Sequence, residues 1–206
     1  MARYTGPKGK LVRRFGMNVF ESPKYNNLLV RRNKPPGQHG DKQQRKKQSD
    51  YALQLVEKQK VRHVYGLLEK QFRRTFDQAS RQKGVTGENL LVLLERRLDN
   101  VVFRAGFAAT RMQARQIVNH GHMLVNGKKV NIPSYKIKPG DIITVSGREK
   151  SKKMIAANIE DNPAAQSPEW LAVDKNQQTF SVSRMPVRDD ISKDLNEQLI
   201  VELYSK

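Results

Sequence analysis

The chain contains no cysteine. That absence removes disulfides, thiol nucleophiles and every cysteine-ligated zinc or iron–sulfur site. Long apolar runs are missing as well. No stretch approaches the ~18 consecutive apolar residues of a membrane-spanning helix, and no apolar segment follows Met1 as a secretory signal would require, so no membrane partner is expected. The N-terminus is Arg-containing and acid-poor, as in a mitochondrial transit peptide, but it lacks serine enrichment and is interrupted by Gly6-Pro7 and Gly9; no transit segment is expected. No Gly-rich loop ends in the Lys-Ser/Thr of a phosphate-cradling P-loop, and no Gly-x-Ser-x-Gly elbow is present.

Positive charge is what the chain has in excess. Its 206 residues carry 39 Lys+Arg against 20 Asp+Glu, a formal net charge of +19. Like charges repel in a compact state, so such an excess points to a polyanionic partner such as nucleic acid. The excess is uneven: residues 1–85 hold 21 basic and 6 acidic side chains, residues 86–153 hold 13 and 5, and residues 154–206 hold 5 and 9. Polyanion contact is therefore expected from the first two blocks, and a structural or protein-facing role from the third. The apolar share of roughly 40% suffices for a core, or for two modest ones, in a chain of this length.

Residues 1–49 are rich in Gly, Pro, Lys, Arg, Asn and Gln, with 13 basic and 2 acidic residues. They read as an irregular basic arm that orders where phosphates neutralise it. Within it, Pro35-Pro36-Gly37-Gln38-His39-Gly40 is a loop signal that lets backbone approach a phosphate closely. From Asp50 to Lys83 apolar residues recur at three- and four-residue steps (Val61, Val64, Tyr65, Leu68, Phe72, Phe76, Ala79), with Ser49 or Asp50 as N-cap, Gly66 as a break and Gly84 as a stop. Lys58, Lys60, Arg62, Lys70, Arg73 and Arg74 occupy the opposite face; they are either phosphate contacts or an ordinary solvated surface.

Thr86 is placed to cap a helix running through Leu98 and continuing past Asp99 to Ala105, ended by Gly106. Thr110 is placed to cap the next helix, which runs to His120 with Gly121 at its C-terminus. The period then changes to two, with Asn126-Gly127 as a type I′ hairpin turn and Pro139-Gly140 as a turn before Ile142–Val145. Strands are expected at Trp170–Val173 and Thr179–Ser183, after a linker carrying Pro163 and Pro168. A capping box at Asp194–Glu197 precedes a terminal helix whose apolar face needs a partner, the first helical block being the candidate.

The densest constellation lies in the middle block. Arg97 and Arg104 are two helical turns apart, Arg111 and Arg115 share one face of the next helix, and Gln113 and Gln116 lie close by. Planar guanidinium groups at such intervals suit a run of phosphate oxygens, and glutamines reach riboses or base edges. Lys128 and Lys129 add charge at the hairpin. Between Asn100 and Asn131 there is no acid at all, whereas a merely soluble helix pair would intersperse acids among these bases.

Here the sequence resembles a known family. The stretch Arg97-Leu98-Asp99-Asn100-Val101-Val102-Phe103-Arg104-Ala105-Gly106, then Ala109-Thr110-Arg111-Met112-Gln113-Ala114-Arg115-Gln116, Val125-Asn126-Gly127 and Pro139-Gly140-Asp141, is similar to the S-four RNA-binding domain. Ala2-Arg3-Tyr4-Thr5-Gly6-Pro7, Pro35–Gly40, Ser49-Asp50-Tyr51, Glu57–Arg62, Thr86–Leu91 and Leu199–Lys206 extend the likeness to the small-subunit ribosomal S-four family of bacteria and plastids, over essentially the whole chain. The resemblance implies an α+β fold: a basic N-terminal arm (1–49), a helical domain (50–95) with 190–206 as its candidate completion, an inserted S-four module of two helices and a small sheet (96–156), and a linker with β-extension (157–189).

The same resemblance implies a primary rRNA-binding protein, not an enzyme, that docks on the 5′ domain of small-subunit rRNA, nucleates subunit assembly, and with protein S-five contributes to translational accuracy. It implies contacts with proteins S-three, S-five and S-twelve and with mRNA near the entry channel, as a monomer within the ribosome, in the cytoplasm or the plastid stroma. Many relatives bind zinc through four cysteines in the arm; this arm has none, so no metal or other cofactor is expected.

The candidate RNA-binding residues are Arg3, Lys8, Lys10, Arg13, Arg14, Arg31, Arg32, Gln38, His39, Arg45, Lys46 and Lys47 in the arm. Lys58, Lys60, Arg62, Arg73 and Arg74 follow in the helical block, and Arg97, Arg104, Thr110, Arg111, Gln113, Arg115, Gln116, Lys128 and Lys129 in the module. Two alternatives use the same module. One is a chaperone or stress-type RNA binder, which lacks the long basic helical block. The other is a pseudouridine synthase, suggested by Arg97-Leu98-Asp99; the remaining residues are too few for its catalytic domain. His120 and His122 flank a glycine but supply too few ligands for a closed metal site.

Overall fold

The apolar periodicity after Asp50 becomes helix in the computed structural model, which describes residues 4–38, 40, 49–161 and 167–205. The chain divides into two compact units: residues 1–87 with 193–206, and residues 88–192. The described residues contain nine α-helices and a five-stranded antiparallel sheet, an α+β fold.

In the first unit, α1 (Lys8–Phe15) and α2 (Pro23–Arg31) stand where composition alone suggests irregular chain. Buried Val12 and Val19 supply the tertiary support that propensity does not. Ser49 caps α3 (Asp50–Val64), its Oγ accepting from Ala52 N at 3.3 Å. The chain breaks at Gly66 (φ 63°), a left-handed conformation that glycine adopts without a Cβ penalty, and restarts as α4 (Glu69–Ser80). Phe72, Phe76 and Ala79 form the buried stripe of α4.

The last helix of the chain, Glu197–Tyr204, belongs to this same unit. It packs on α3, where Gln54 Nε2 donates to Glu202 Oε2 (3.0 Å) and Asn196 N donates to Glu57 Oε1 (2.9 Å). The Tyr204 ring lies 4.6 Å from that of Phe76. Its N-cap is Asn196, whose side chain accepts from Gln198 N, rather than the Asp194 of the expected capping box; the Lys60 ammonium instead takes the Asp194 carbonyl at 3.3 Å.

The boundary to the second unit falls inside the first turn of α5 (Thr86–Glu95). The helix expected to run on from Thr86 past Asp99 is interrupted at Arg96-Arg97. Arg97 is extended (φ −70°, ψ 135°) and bridges Lys136, while Leu98 N donates to Tyr135 O and Ile137 N to Arg96 O. A distant segment thus captures backbone groups that a continuous helix would have used. Helix α6 (Leu98–Arg104) follows, then α7 (Arg111–Asn119), capped by Thr110 Oγ1 accepting from Gln113 N.

Strands β1 (Met123–Val125), β2 (Lys128–Lys129), β3 (Ile142–Val145), β4 (Leu171–Asp174) and β5 (Thr179–Val182) form one sheet in the order β2-β1-β3-β5-β4. Asn126 (φ 50°) and Gly127 (φ 75°) make the hairpin turn, with Leu124 opposite Lys129 and Val125 opposite Lys128. The segment after β3, read from sequence as the module's end running into a linker, carries α8 (Glu149–Asp161). The terminal helix of the first unit is α9. The core of the second unit joins Leu98, Val101, Val102, Ala114, Ile117 and Val118 to Ile143, Ile155, Trp170 and Phe180, with Phe107 edge-on to Phe180 at 5.2 Å.

Candidate nucleic-acid interface

The second unit builds its arginine cluster around two buried acids at the α5–α6 junction. Glu95, its side chain 1% exposed, accepts from Arg104 Nη2 (Oε1, 2.9 Å) and from Asn100 Nδ2 (Oε2, 2.6 Å). Asp99 accepts a two-point contact from Arg97, Nε at 3.1 Å and Nη2 at 2.7 Å, and its Oδ1 also takes the Asn100 backbone N–H. Near the start of α6 that carboxylate also meets the positive end of the helix dipole. Arg115 Nη1 approaches Asp99 Oδ2 from α7 at 3.4 Å.

Arg111 donates through Nε to Asn100 Oδ1 (2.8 Å), and its guanidinium lies 4.5 Å above the Phe103 ring. Both Arg97 and Arg111 are buried. Burial lowers the Arg115 pKa, with Asp99 opposing and Arg97 adding to the shift. Gln113 bonds Asn158 Oδ1 through Nε2 and accepts from Ala109 N, so it ties α7 to α8, whereas Gln116 is exposed.

The hairpin cations are displayed differently. Lys128 and Lys129 lie exposed on the edge strand β2, where positive charge also discourages edge-to-edge pairing. Their turn is braced from below. Asn126 Nδ2 donates to Asp141 Oδ1 (2.9 Å), Ile142 N donates to Asn126 Oδ1 (2.9 Å), and Lys138 N donates to Asp141 Oδ2 (2.7 Å). One carboxylate therefore joins the Asn126-Gly127 and Pro139-Gly140 turns.

In the first unit, Lys10, Arg14, Arg31, Arg32, Gln38, Arg73 and Arg74 are exposed. Arg13 is committed to the arm itself, donating to the carbonyls of Lys34 (2.8 Å) and Pro35 (3.3 Å), and Lys8 sits 5.6 Å over the Phe20 ring. Gly40 packs so tightly on Pro35 O that a Cβ would collide with it. Lys58 and Arg62 both reach Glu69, at 2.7 and 3.3 Å, and Lys60 pairs with Glu57. Arg3, His39, Arg45, Lys46 and Lys47 lie outside the described residues.

His63, buried in the last turn of α3, has its ring 5.0 Å from Tyr4 and 6.0 Å from Phe15. Arg62 Nη2 lies 3.2 Å from its Nε2. Because guanidinium only donates, this nitrogen accepts and the imidazole is neutral. Burial, then the charges of Arg62 and Arg14, push the pKa down to about 4.

Sequence spacing missed Arg96 and Lys136, which the Arg97–Lys136 bridge gathers beside α6. Burial, then Arg96 and Arg97, lower the Lys136 pKa. No local periodicity marks this contact, because its two sides are some forty residues apart. Asp99, the acid a synthase reading would make catalytic, is held by Arg97 and Arg115. His122, from the pair weighed as metal ligands, places Nδ1 2.8 Å from Ser151 Oγ. No helix among the described residues is long and apolar enough to cross a membrane.

Residues 3–95 match the family described as ribosomal protein S4/S9 N-terminal domain, and residues 96–143 match the S4 domain. The chain is 55% identical over 212 aligned residues to small ribosomal subunit protein uS4 of Geotalea daltonii. It is 52% identical over 209 residues to the protein of that name in Chloroflexus aurantiacus and 50% over 206 in Akkermansia muciniphila; all three alignments cover 100% of both chains.

Proposed function

The chain belongs to the ribosomal S4 protein family, and on that premise we propose that it is a structural constituent of the small ribosomal subunit that binds small-subunit rRNA. The observation that carries this reading is the cluster in which the guanidinium groups of Arg97, Arg104, Arg111 and Arg115 gather about Glu95, Asp99 and Asn100. It fixes a concentration of arginines on the α5–α7 frame, where a polyanion is attracted.

Within it the residues divide their work. Arg97 and Arg111, being buried, act as positioning residues that fix the helix pair. Gln116, Lys128 and Lys129 in this unit, and Lys10, Arg14, Arg31, Arg32, Arg73 and Arg74 in the other, contact phosphate and sugar. Selectivity comes from the shape of an RNA junction, because the deep major groove of A-form RNA hides its base edges.

At the finer level the protein docks on the 5′ domain of small-subunit rRNA at a multi-helix junction and nucleates subunit assembly. It then contacts proteins S-three, S-five and S-twelve and mRNA near the entry channel, the S-five contact contributing to translational accuracy, with its place in the ribosomes of the cytoplasm or plastid stroma. Footprinting of purified protein on small-subunit rRNA tests the core of this reading. Protection confined to one multi-helix junction is expected. Weak protection spread evenly over the RNA would leave only generic polyanion affinity.

A further inference from the structure

We propose that α2 carries a cleft for a single unpaired nucleotide of RNA, lined by Lys24, Tyr25, Asn27, Leu28 and Arg31. The inference rests on the rRNA-binding reading and adds to it a base-binding subsite that phosphate contacts alone do not require. The cleft measures about 440 Å³, within the range of clefts that take small ligands. Its composition sets the chemistry of the occupant. Lys24, Leu28 and Arg31 recur at four- and three-residue steps, so one helix face presents a cation, an apolar floor and a second cation, with about 10 Å of helix between the charges.

Among the described residues neither Lys24 nor Arg31 has an ion-pair partner, and between Glu21 and Gly40 the sequence supplies no acid. The Tyr25 ring, half-buried, is backed by Phe20 at 5.4 Å and an interplanar angle of 47°, and Phe20 in turn lies under Lys8. The start of the helix is pinned as well: Asn18 Nδ2 reaches both the Ser22 carbonyl (2.8 Å) and Asn26 Oδ1 (2.7 Å). Tyr25 and Leu28 therefore offer a supported flat apolar surface between two cations. Asn27, exposed at the rim, offers one amide donor group and one acceptor, the complement that a base edge requires.

A flat ring with polar edges on a polyanionic strand satisfies all three features. Stacking on an aromatic side chain requires a base free of its own helix, as in a loop, bulge or junction. A base inside a duplex would expose no face to Tyr25.

The test uses the full chain on small-subunit rRNA with two readouts, affinity and ultraviolet cross-linking followed by peptide mapping. Wild-type protein should cross-link within residues 24–31 to a nucleotide that is unpaired in the RNA. Tyr25→Phe should keep both affinity and cross-link, whereas Tyr25→Leu should lose the cross-link and bind about tenfold or more weakly. Should Tyr25→Leu unfold α2, the exposed double variant Lys24→Ala/Arg31→Ala decides through loss of the cross-link to the unpaired nucleotide, beyond the salt dependence shallower by about two that lost phosphate contacts alone give.

Wild-type-like binding by both variants, or a cross-link only to base-paired nucleotides, would overturn the subsite while rRNA binding stands. Unchanged RNA affinity with loss of a neighbouring protein from assembled subunits would reassign the cleft to a protein contact and likewise overturn it. Failure of the wild-type chain to select small-subunit rRNA would remove both readings together.

Discussion

Arg97 and Arg73 both lie in basic stretches of the chain, yet one is buried with two guanidinium nitrogens on Asp99 and the other is exposed 5.9 Å from the Tyr204 ring. Their neighbouring acids Glu69, Glu95 and Asp99 differ in the same way, although Glu57 of the first unit is buried too. Glu69 pairs with Lys58 and Arg62 while its own side chain is 45% exposed, whereas Glu95 is 1% exposed and Asp99 is 7%. A half-exposed pair is screened and contributes little, while a buried one costs several kcal/mol to break because the surviving charge has no solvent. The placement of an acid therefore decides whether a nearby cation is displayed to a partner or locked into the fold.

The sharpest way to break this contrast is Asp99→Ala, which strands Arg97 and Arg115 and should destabilise the second unit by about 3–5 kcal/mol in denaturant unfolding. Asp99→Asn, which keeps the shape, should cost less. A loss equal to that of a surface substitution would erase the distinction between the units.

Acid attacks the first unit instead. His63 keeps a pKa of about 4 in the fold against 6.5 when unperturbed. The unfolded chain takes up a proton below pH 6.5 that the folded one does not, so stability present above 6.5 is lost as pH falls towards 4. The loss is up to ~3 kcal/mol. Unfolding followed at stepped pH should show this slope, and His63→Gln should flatten it.

Exposed cations should behave oppositely to Asp99. Arg73→Ala with Arg74→Ala should leave stability within about 0.5 kcal/mol of wild type while making the salt dependence of rRNA affinity shallower by about two, one for each lost phosphate contact. The smallest effect is expected from Thr110→Ala, which removes the α7 cap for about 1 kcal/mol and should shift melting slightly without altering that salt dependence.

Thr110, Asn126-Gly127 and the strands at Leu171–Asp174 and Thr179–Val182 were legible in the sequence because their causes are local: a hydroxyl beside an unbonded N–H, two residues tolerant of positive φ, and alternating side chains. What stayed hidden has non-local causes. Helices α1 and α2 form in Gly- and Lys-rich chain where they pack on each other and Val12 and Val19 are buried. The break before α6 follows from the Lys136 bridge.

The buried arginines were hidden for a similar reason. The acid-free stretch after Asn100 made phosphate the expected partner of Arg104, Arg111 and Arg115, and nothing in it showed that Glu95 and Asp99 also reach Arg104 and Arg115 from upstream and Asn100 takes Arg111. Linear spacing shows which charges share a face; it does not show which face an earlier acid has already entered.

The return of α9 to the first unit bears on the order in which the molecule is made. Leu195 and Ile200 are buried there and Tyr204 stacks near Phe72 and Phe76, yet all three are synthesised after the whole of residues 88–192. The second unit is one uninterrupted stretch, and its main apolar cluster from Leu98 onward is complete once Val182 has emerged. On a chain that lengthens from its N-terminus, the unit translated first thus completes its fold only once α9 has emerged.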